Sequence, residues 1–280
     1  MTWKAYKIVF QLLSPMHIGW IKQGNVQRTR PYVTGKALWG ALTARLTRDF
    51  PDLGGDYKSV GQRVHQELAF SYFYPAVGET VDLWPWGETA EEFAWRYLGS
   101  YASTALNYSC NTAEEGSLHE TEFIAPFTRD GQPVYLIGYI FECQGCTLPW
   151  QDVLSRLQLG GERTYGWGRV RLEKMSSLLS GGEKFFVDGL EMTLDGKRPV
   201  LQASKDAPLL AHALAAEFQG CQPVSSVRGP VEPLLGRETD PQGRFGAHLP
   251  EARICWPPGS TLTADAEIII GEYGIWAGVI

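Results

Sequence analysis

Tyr6, Ile8, Phe10 and Leu12 alternate with Lys7, Val9 and Gln11, a period of two that predicts a β-strand ended by Ser14-Pro15. Residues 19–34, polar and basic, read as a loop. Over residues 36–50 the period changes: Leu38, Leu42 and Leu46 recur every four residues beside Ala37, Ala41 and Ala44, a helix that Pro51 stops. Residues 120–127 and 134–143 read as two strands, joined by a turn whose Asp130-Gly131 is a hairpin signal. Thr147 is placed to cap a short helix with Pro149 in its first turn and Val153, Leu154 and Leu157 on its buried stripe, before Gly160-Gly161 ends it. Residues 167–172 then predict a last strand, Val170 and Leu172 on one face and Arg169 and Arg171 on the other.

Strand, helix, strand, strand, helix, strand is the order of an α+β, ferredoxin-like (RRM-like) βαββαβ domain over residues 1–175, with helices on one sheet face and the other face free for bases. Residues 51–118 interrupt it as an acidic insertion rich in aromatics: Tyr72, Phe73, Tyr74, Trp84, Trp86, Phe93, Trp95, Tyr97 and Tyr101. A structureless loop of that length is uncommon, so helices are expected at 62–70 and 90–98, with the aromatics forming a satellite core and some reaching a neighbouring subunit. Residues 176–280 predict a second, mostly β module, a degenerate ferredoxin-like unit being one option, with one helix at 208–218 behind Lys205-Asp206.

A chain of 280 residues is long enough for one large domain or two small ones. No apolar run nears the ~20 residues that span a bilayer, and the first residues carry no secretion-signal pattern, so a cytoplasmic protein is expected. Cys143 and Cys146 form a C-x-x-C, but no second pair follows at zinc spacing, which favours plain thiols and no metal. Charge is uneven. The net charge is −6, yet residues 1–50 hold Lys4, Lys7, Lys22, Arg28, Arg30, Lys36, Arg45 and Arg48 against Asp49 alone, which is +7 and leaves −13 elsewhere. Residues 154–174 add Arg156, Arg163, Arg169, Arg171 and Lys174 against Glu162 and Glu173. Phosphate attraction acts over a Debye length of ~8 Å, so local patches outweigh the total.

Two segments carry the chemistry. The first, Gly160-Gly161-Glu162-Arg163-Thr164-Tyr165-Gly166-Trp167-Gly168-Arg169, combines glycines that form anion-binding nests with two cations and two aromatic stacking faces. It lacks the Lys-Ser/Thr of a P-loop and the strand-then-helix setting of a dinucleotide fingerprint, so no cofactor is expected. The second is Ser14-Pro15-Met16-His17-Ile18-Gly19 with Pro31-Tyr32-Val33-Thr34-Gly35-Lys36-Ala37-Leu38-Trp39-Gly40-Ala41. Gly35 opens a helix whose free amides suit an anion, and Lys36 stands in its first turn, where the dipole disfavours a cation unless an anion sits nearby.

Together these segments resemble the RAMP superfamily of CRISPR-associated proteins (repeat-associated mysterious proteins). Its members carry a Pro-Leu-His-Ile-Gly-like turn, a Pro-Tyr-Ile-Pro-Gly-Ser-Ser-Leu-x-Gly-Ala-like helix entry and a Gly-Gly-x-x-x-x-Gly-x-Gly loop before the last strand. The likeness covers residues 1–50 and 119–175, and departs at Thr34-Gly35-Lys36, where the family has Pro-Gly-Ser. It implies a non-catalytic subunit of a type III-like effector complex, either a backbone protomer or the subunit capping the guide's 5′ handle, with guide RNA, target RNA and other subunits as partners. His17, Lys22, Arg28, Arg30, Lys36 and Arg45 would then face RNA, beside Gly160, Gly161, Arg163, Thr164, Tyr165, Gly166, Trp167, Gly168 and Arg169.

Some family members cut RNA with an Asp in the loop after strand one, where a carboxylate places a metal ion. Residues 1–48 contain no Asp or Glu. A guide-processing ribonuclease using His17 is the alternative. A metabolic ferredoxin-like enzyme is disfavoured, because its carboxylates would have to come from outside both basic segments.

Overall fold

The computed structural model describes residues 2–83, 90–178, 184–236, 244, 246–249 and 251–279. The chain begins with β1 (Trp3–Leu12), β2 (Gly19–Gln23), β3 (Val26–Thr29) and α1 (Gly35–Asp49). Next come α2 (Tyr57–Glu67), β4 (Leu68–Phe70), β5 (Tyr74–Val77), β6 (Thr80–Val81) and α3 (Ala90–Tyr97). They are followed by β7 (Leu98–Ser103), β8 (Leu106–Asn107), β9 (Thr112–Ala113), β10 (His119–Ile124), β11 (Val134–Cys143) and β12 (Val170–Leu178). The remainder holds β13 (Leu190–Thr193), β14 (Val200–Ala203), β15 (Ala213–Leu214), β16 (Val227–Arg228) and β17 (Glu232–Leu234). It ends with β18 (Arg253–Trp256), β19 (Thr261–Leu262), β20 (Ala266–Ile270) and β21 (Trp276–Gly278).

The fold is α+β with mixed sheets and few helices. The first sheet runs β12-β1-β11-β5-β6, with β4 also on β11, and its pairs are antiparallel. On one face, Ile8, Phe10 and Leu12 of β1 meet Leu38, Leu42 and Leu46 of α1 and the stripe Val153, Leu154 and Leu157. That stripe sits on a 3-10 turn, Trp150–Arg156, which starts after Pro149 and takes no cap from Thr147.

The other face is not free. Trp3, Ala5, Tyr139 and Phe141 pack against Phe185 and against Leu201, Ile268 and Trp276 of a second sheet, ordered β13-β14-β20-β21-β15-β18-β17. This corrects the expectation of a base-binding sheet face. The sequence carries the reason: β11 reads as a continuous apolar run, Val-Tyr-Leu-Ile-Gly-Tyr-Ile-Phe, which is the pattern of a strand buried on both sides.

Three further expectations are corrected. The turn at 128–132 forms, Thr128 donating to the Gln132 carbonyl at 2.9 Å, but its two arms separate into different sheets. β10 pairs with β7 and β3 in a sheet ordered β2-β3-β10-β7, while β4 and β5, from within the expected insertion, take the place beside β11. The expected loop at 19–34 contains the β2–β3 hairpin. Residues 208–218 are not helical: Leu209, Leu210, Ala211, His212 and Ala213 are all at most 1% exposed, and β15 lies between β21 and β18. A segment buried on every side needs the ladder for its backbone groups, and packing overrides helix propensity.

The two expected helices at 62–70 and 90–98 exist as α2 and α3. α2 starts earlier because Asp56 caps it, accepting from the amides of Lys58 and Ser59, and residues 68–70 leave it as β4. Of the insertion aromatics, Tyr72, Phe73, Tyr74, Phe93 and Tyr97 are buried, Trp95 and Tyr101 are exposed, and Trp84 and Trp86 lie outside the described residues. Among the described residues, no helix is long and apolar enough to cross a membrane.

Because Trp276 is fully buried where the two sheets meet, Trp276→Ala is expected to cost about 3–5 kcal/mol. Urea unfolding followed by near- and far-UV signals should show one shifted transition, since neither layer keeps a closed core without the other.

Candidate nucleic-acid interface

The two informative segments are one unit in space. The Gly161 amide donates to the His17 carbonyl at 2.8 Å and the Gly168 amide to the Pro15 carbonyl at 2.7 Å. The approach is close enough to demand glycine: a Cβ on Gly160 would stand 2.3 Å from the His17 carbonyl oxygen, and one on Gly168 1.8 Å from that of Leu159. Both glycines have positive φ, +82° and +75°. The glycines therefore serve docking. The amides of Tyr165, Gly166 and Trp167 are also committed, to the carbonyls of Glu162, Arg163 and Glu162, so the expected anion nest is not available from these five donors.

What the loop presents outward is side chains. Arg163, Thr164, Tyr165 and Arg169 are exposed, Tyr165 at 79%. Trp167 instead wedges edge-on against Phe123, centroids 5.2 Å apart, and half buries itself. The His17 ring is 7% exposed and donates from Nδ1 to the Glu122 carbonyl at 2.8 Å. That buried position makes it a post for the turn and a poor proton shuttle.

The predicted cations separate into two groups. Lys22 is exposed on β2. Arg28 reaches Glu122 at 3.1 Å, the same carboxylate that accepts from the Thr29 amide at 3.0 Å, while its side chain stays 41% exposed. Arg45 pairs with Asp49 at 2.8 Å, about 15 Å along α1 from the glycine loop's end of the helix, so it does not join the others. Arg30 is tied into the fold. It is 7% exposed and bonds Glu232 at 2.8 Å, beside Tyr32 and His212, and it joins the lining of a groove.

The environment of Arg30 is electrostatically tight. Burial works against its charge, but Tyr32 and Glu232 outweigh that and raise its pKa. Burial would also raise the Glu232 carboxyl, yet the His212 hydrogen bond and Arg30 pull it down to about 2. His212 is fully buried and lowered chiefly by desolvation, so it is neutral: Nε2–H donates to Glu232 and Nδ1 accepts from the Tyr72 hydroxyl at 2.7 Å.

Above these buried groups lies a groove of about 670 Å³, whose lining includes Trp20, Lys36, Trp39, Arg163, Arg253 and Tyr273. The α1 entry forms one wall. Thr34 caps it, its hydroxyl accepting from the Ala37 amide at 3.3 Å. Gly35 lets the Tyr273 carbonyl approach so closely that a Cβ there would stand 2.2 Å from it. The Lys36 ammonium lies 4.9 Å from the Tyr273 ring centroid. Sequence reasoning missed Glu122, His212's partners, Glu232, Arg253 and Tyr273: Glu122 reaches Arg28 across 94 residues, Glu232 reaches Arg30 across 202 and Tyr273 reaches Lys36 across 237, with no fixed spacing to signal them.

The C-x-x-C cysteines are half-buried free thiols. Burial raises both, Cys146 to about 12, which keeps them protonated. Among the described residues no group of three His, Cys, Asp or Glu is placed to hold a metal ion.

No family model matches the sequence, and no curated protein does. The solved structures give a match. The chain shares its fold with a chain of the Type III-B Cmr-beta. That likeness has a TM-score of 0.50 at 12% identity and spans 91% of this chain and 85% of the other, in the cryo-EM structure of Cmr-beta bound to cognate target RNA and AMPPnP. Two shorter matches, in Cmr-beta bound to cognate target RNA and in its Apo state, each cover 60% of this chain and 96% of the other. Their TM-scores are 0.42 and 0.41, at 12% and 11% identity.

Two outcomes follow from this geometry. Gly168→Ala should lose at least about 2 kcal/mol in urea unfolding, from backbone strain and the clash with Leu159, whereas Arg163→Ala should stay within about 0.5 kcal/mol of the parent. For Glu232 the folded pKa lies below the ordinary 4.5, so its contribution is present above that value and is lost as pH falls through about 2. Glu232→Gln should remove this acid-sensitive component from the pH dependence of the unfolding midpoint. At neutral pH it should also cost about 3–5 kcal/mol, because Arg30 is left buried and uncompensated.

Proposed function

We propose that this chain is a non-catalytic, RNA-binding subunit of a type III-like CRISPR effector complex. The observation that carries the proposal is the docking of the Pro15–Gly19 turn onto the glycine loop, which sets Arg163 and Arg169 outward beside the mouth of a groove opened by α1. The fold shared with a Cmr-beta chain over 91% of the length supports it, as does the RAMP-like motif order. In this reading residues 1–175 are a ferredoxin-like RAMP domain: β12-β1-β11 followed by β4 and β5 is the 4-1-3-2 strand order of that fold. Residues 176–280 are a second module that seals the sheet, and the protein works in the cytoplasm with guide RNA, target RNA and neighbouring subunits.

RNA runs along the outer rim, over Lys22, Arg163, Thr164, Tyr165 and Arg169, with Arg28 flanking. Charge and stacking supply the affinity, so binding is salt-dependent and sequence-tolerant. A binding role is supported by the way Glu122 and Glu232 are tied to Arg28 and Arg30 and by the burial of His17.

Purification of the tagged chain from its host should recover uniform, repeat-derived small RNAs with several partner proteins. In vitro, replacing Lys22, Arg163 and Arg169 together with Ala should lower the slope of log K against log salt by about 2, three phosphate contacts at about 0.7 each. A clean, RNA-free monomer would defeat the proposal. Metal-independent cleavage of repeat RNA that His17→Ala abolishes would replace it with the processing-ribonuclease reading.

A further inference from the structure

The groove has features that a rim of surface cations does not need. Its walls come from both halves of the chain: Trp39 and Tyr57 from α1 and α2, and Arg253 and Tyr273 from the second sheet and its last turn. Trp39 is held rigidly. It stacks on His65 with centroids 4.8 Å apart and an interplanar angle of 11°, meets Tyr57 and Tyr273 edge-on, and donates from Nε1 to the Gly61 carbonyl at 3.1 Å. Arg253 is sandwiched between the rings of Phe218 and Tyr273, at 4.8 and 5.0 Å, while its contact with Glu272 is a loose 3.8 Å. A guanidinium positioned by aromatic rings rather than by a carboxylate keeps donors for a ligand. His65, behind Trp39, is driven down to about 3 by burial first and then by Arg198, Arg253 and Lys36, and the groove lining holds Glu251 and Glu272 beside these cations.

Aromatic walls, cations in the lining and a volume of about 670 Å³ give room for a nucleotide with its phosphate. We infer that the groove between α1 and the second module takes a single unstacked nucleotide of the bound RNA, its base against the Trp39–Tyr57–Tyr273 wall and its phosphate toward Arg163 and Arg253. This rests on the RNA-binding reading above and adds to it: the second module becomes part of the RNA site. Arg163 links the two regions, since it belongs both to the exposed glycine loop and to the groove lining. The strand passes along the rim and turns one residue inward there.

The test is photo-crosslinking of the full chain to short single-stranded RNA containing 4-thiouridine, with the sites mapped by mass spectrometry. Crosslinks on Trp39, Tyr57 or Tyr273, in addition to those on the glycine loop, are expected. Arg253→Gln and Tyr57→Ala should each weaken binding about five- to tenfold and erase the groove crosslinks while leaving the glycine-loop ones. Each variant is first checked for the parental unfolding midpoint. The crosslink map of the unaltered chain stands independently of both. Crosslinks confined to the glycine loop and β2, with both variants at parental affinity, would overturn the pocket and leave the RNA-binding reading intact. No crosslink and no RNA binding at all would overturn both.

Discussion

Arg30 carries its charge inside the protein, and the arrangement of the two sheets follows from how that charge is satisfied. Its partners come from segments far apart in sequence: Tyr32 beside it and Glu232 on β17, whose carboxylate also accepts from His212 next to β15, itself bonded to Tyr72 between β4 and β5. A buried guanidinium without such partners would cost several kcal/mol, so packings that miss this alignment are disfavoured. A purely apolar interface between the layers would tolerate sliding. This one has a directional lock, and the walls of the groove above it are positioned by the same registration.

The lock also explains why basic residues in one segment have such different fates. Lys22 and Arg163 remain at the surface, where water solvates them and a phosphate can replace that water. Arg30, two residues from Arg28, lies just past the end of β3, where the chain leaves the strand and its guanidinium meets Glu232. Net charge along a sequence says that cations are present. It does not say which of them the fold consumes.

What could be read in advance divides along the same line. β1 and α1 are legible because their apolar periods are local, β11 because its apolar run is, and the turn at Gly131 likewise depends on neighbours in sequence. The destination of β10 was not, since a hairpin turn says nothing about whether its arms stay together, and here β4 and β5 compete successfully for the edge of β11. Residues 208–218 read as a helix because their composition suits one, and only their burial between β18 and β21 dictates otherwise. Within the site, the glycines signal a close backbone approach, and what approaches at Gly160 is the Pro15–Gly19 turn, where an anion was expected. Arg253 and Tyr273 carry no such signature, and their placement beside α1 is a product of tertiary structure alone.

The register of β1 has a consequence for how the molecule comes into being. Trp3 pairs with Cys143 and Ala5 with Leu178, so β1 has both of its neighbours far later in the chain. Contacts this distant in sequence slow folding and leave apolar edges unpaired in the interval. During synthesis, β1 and the basic hairpin after it must wait until most of the chain has emerged, and Arg30 waits longer still for residue 232. A nascent chain in that interval is open and displays its cationic first 50 residues beside unpaired aromatics, a state in which a polyanion or a chaperone finds it more readily than the finished protein.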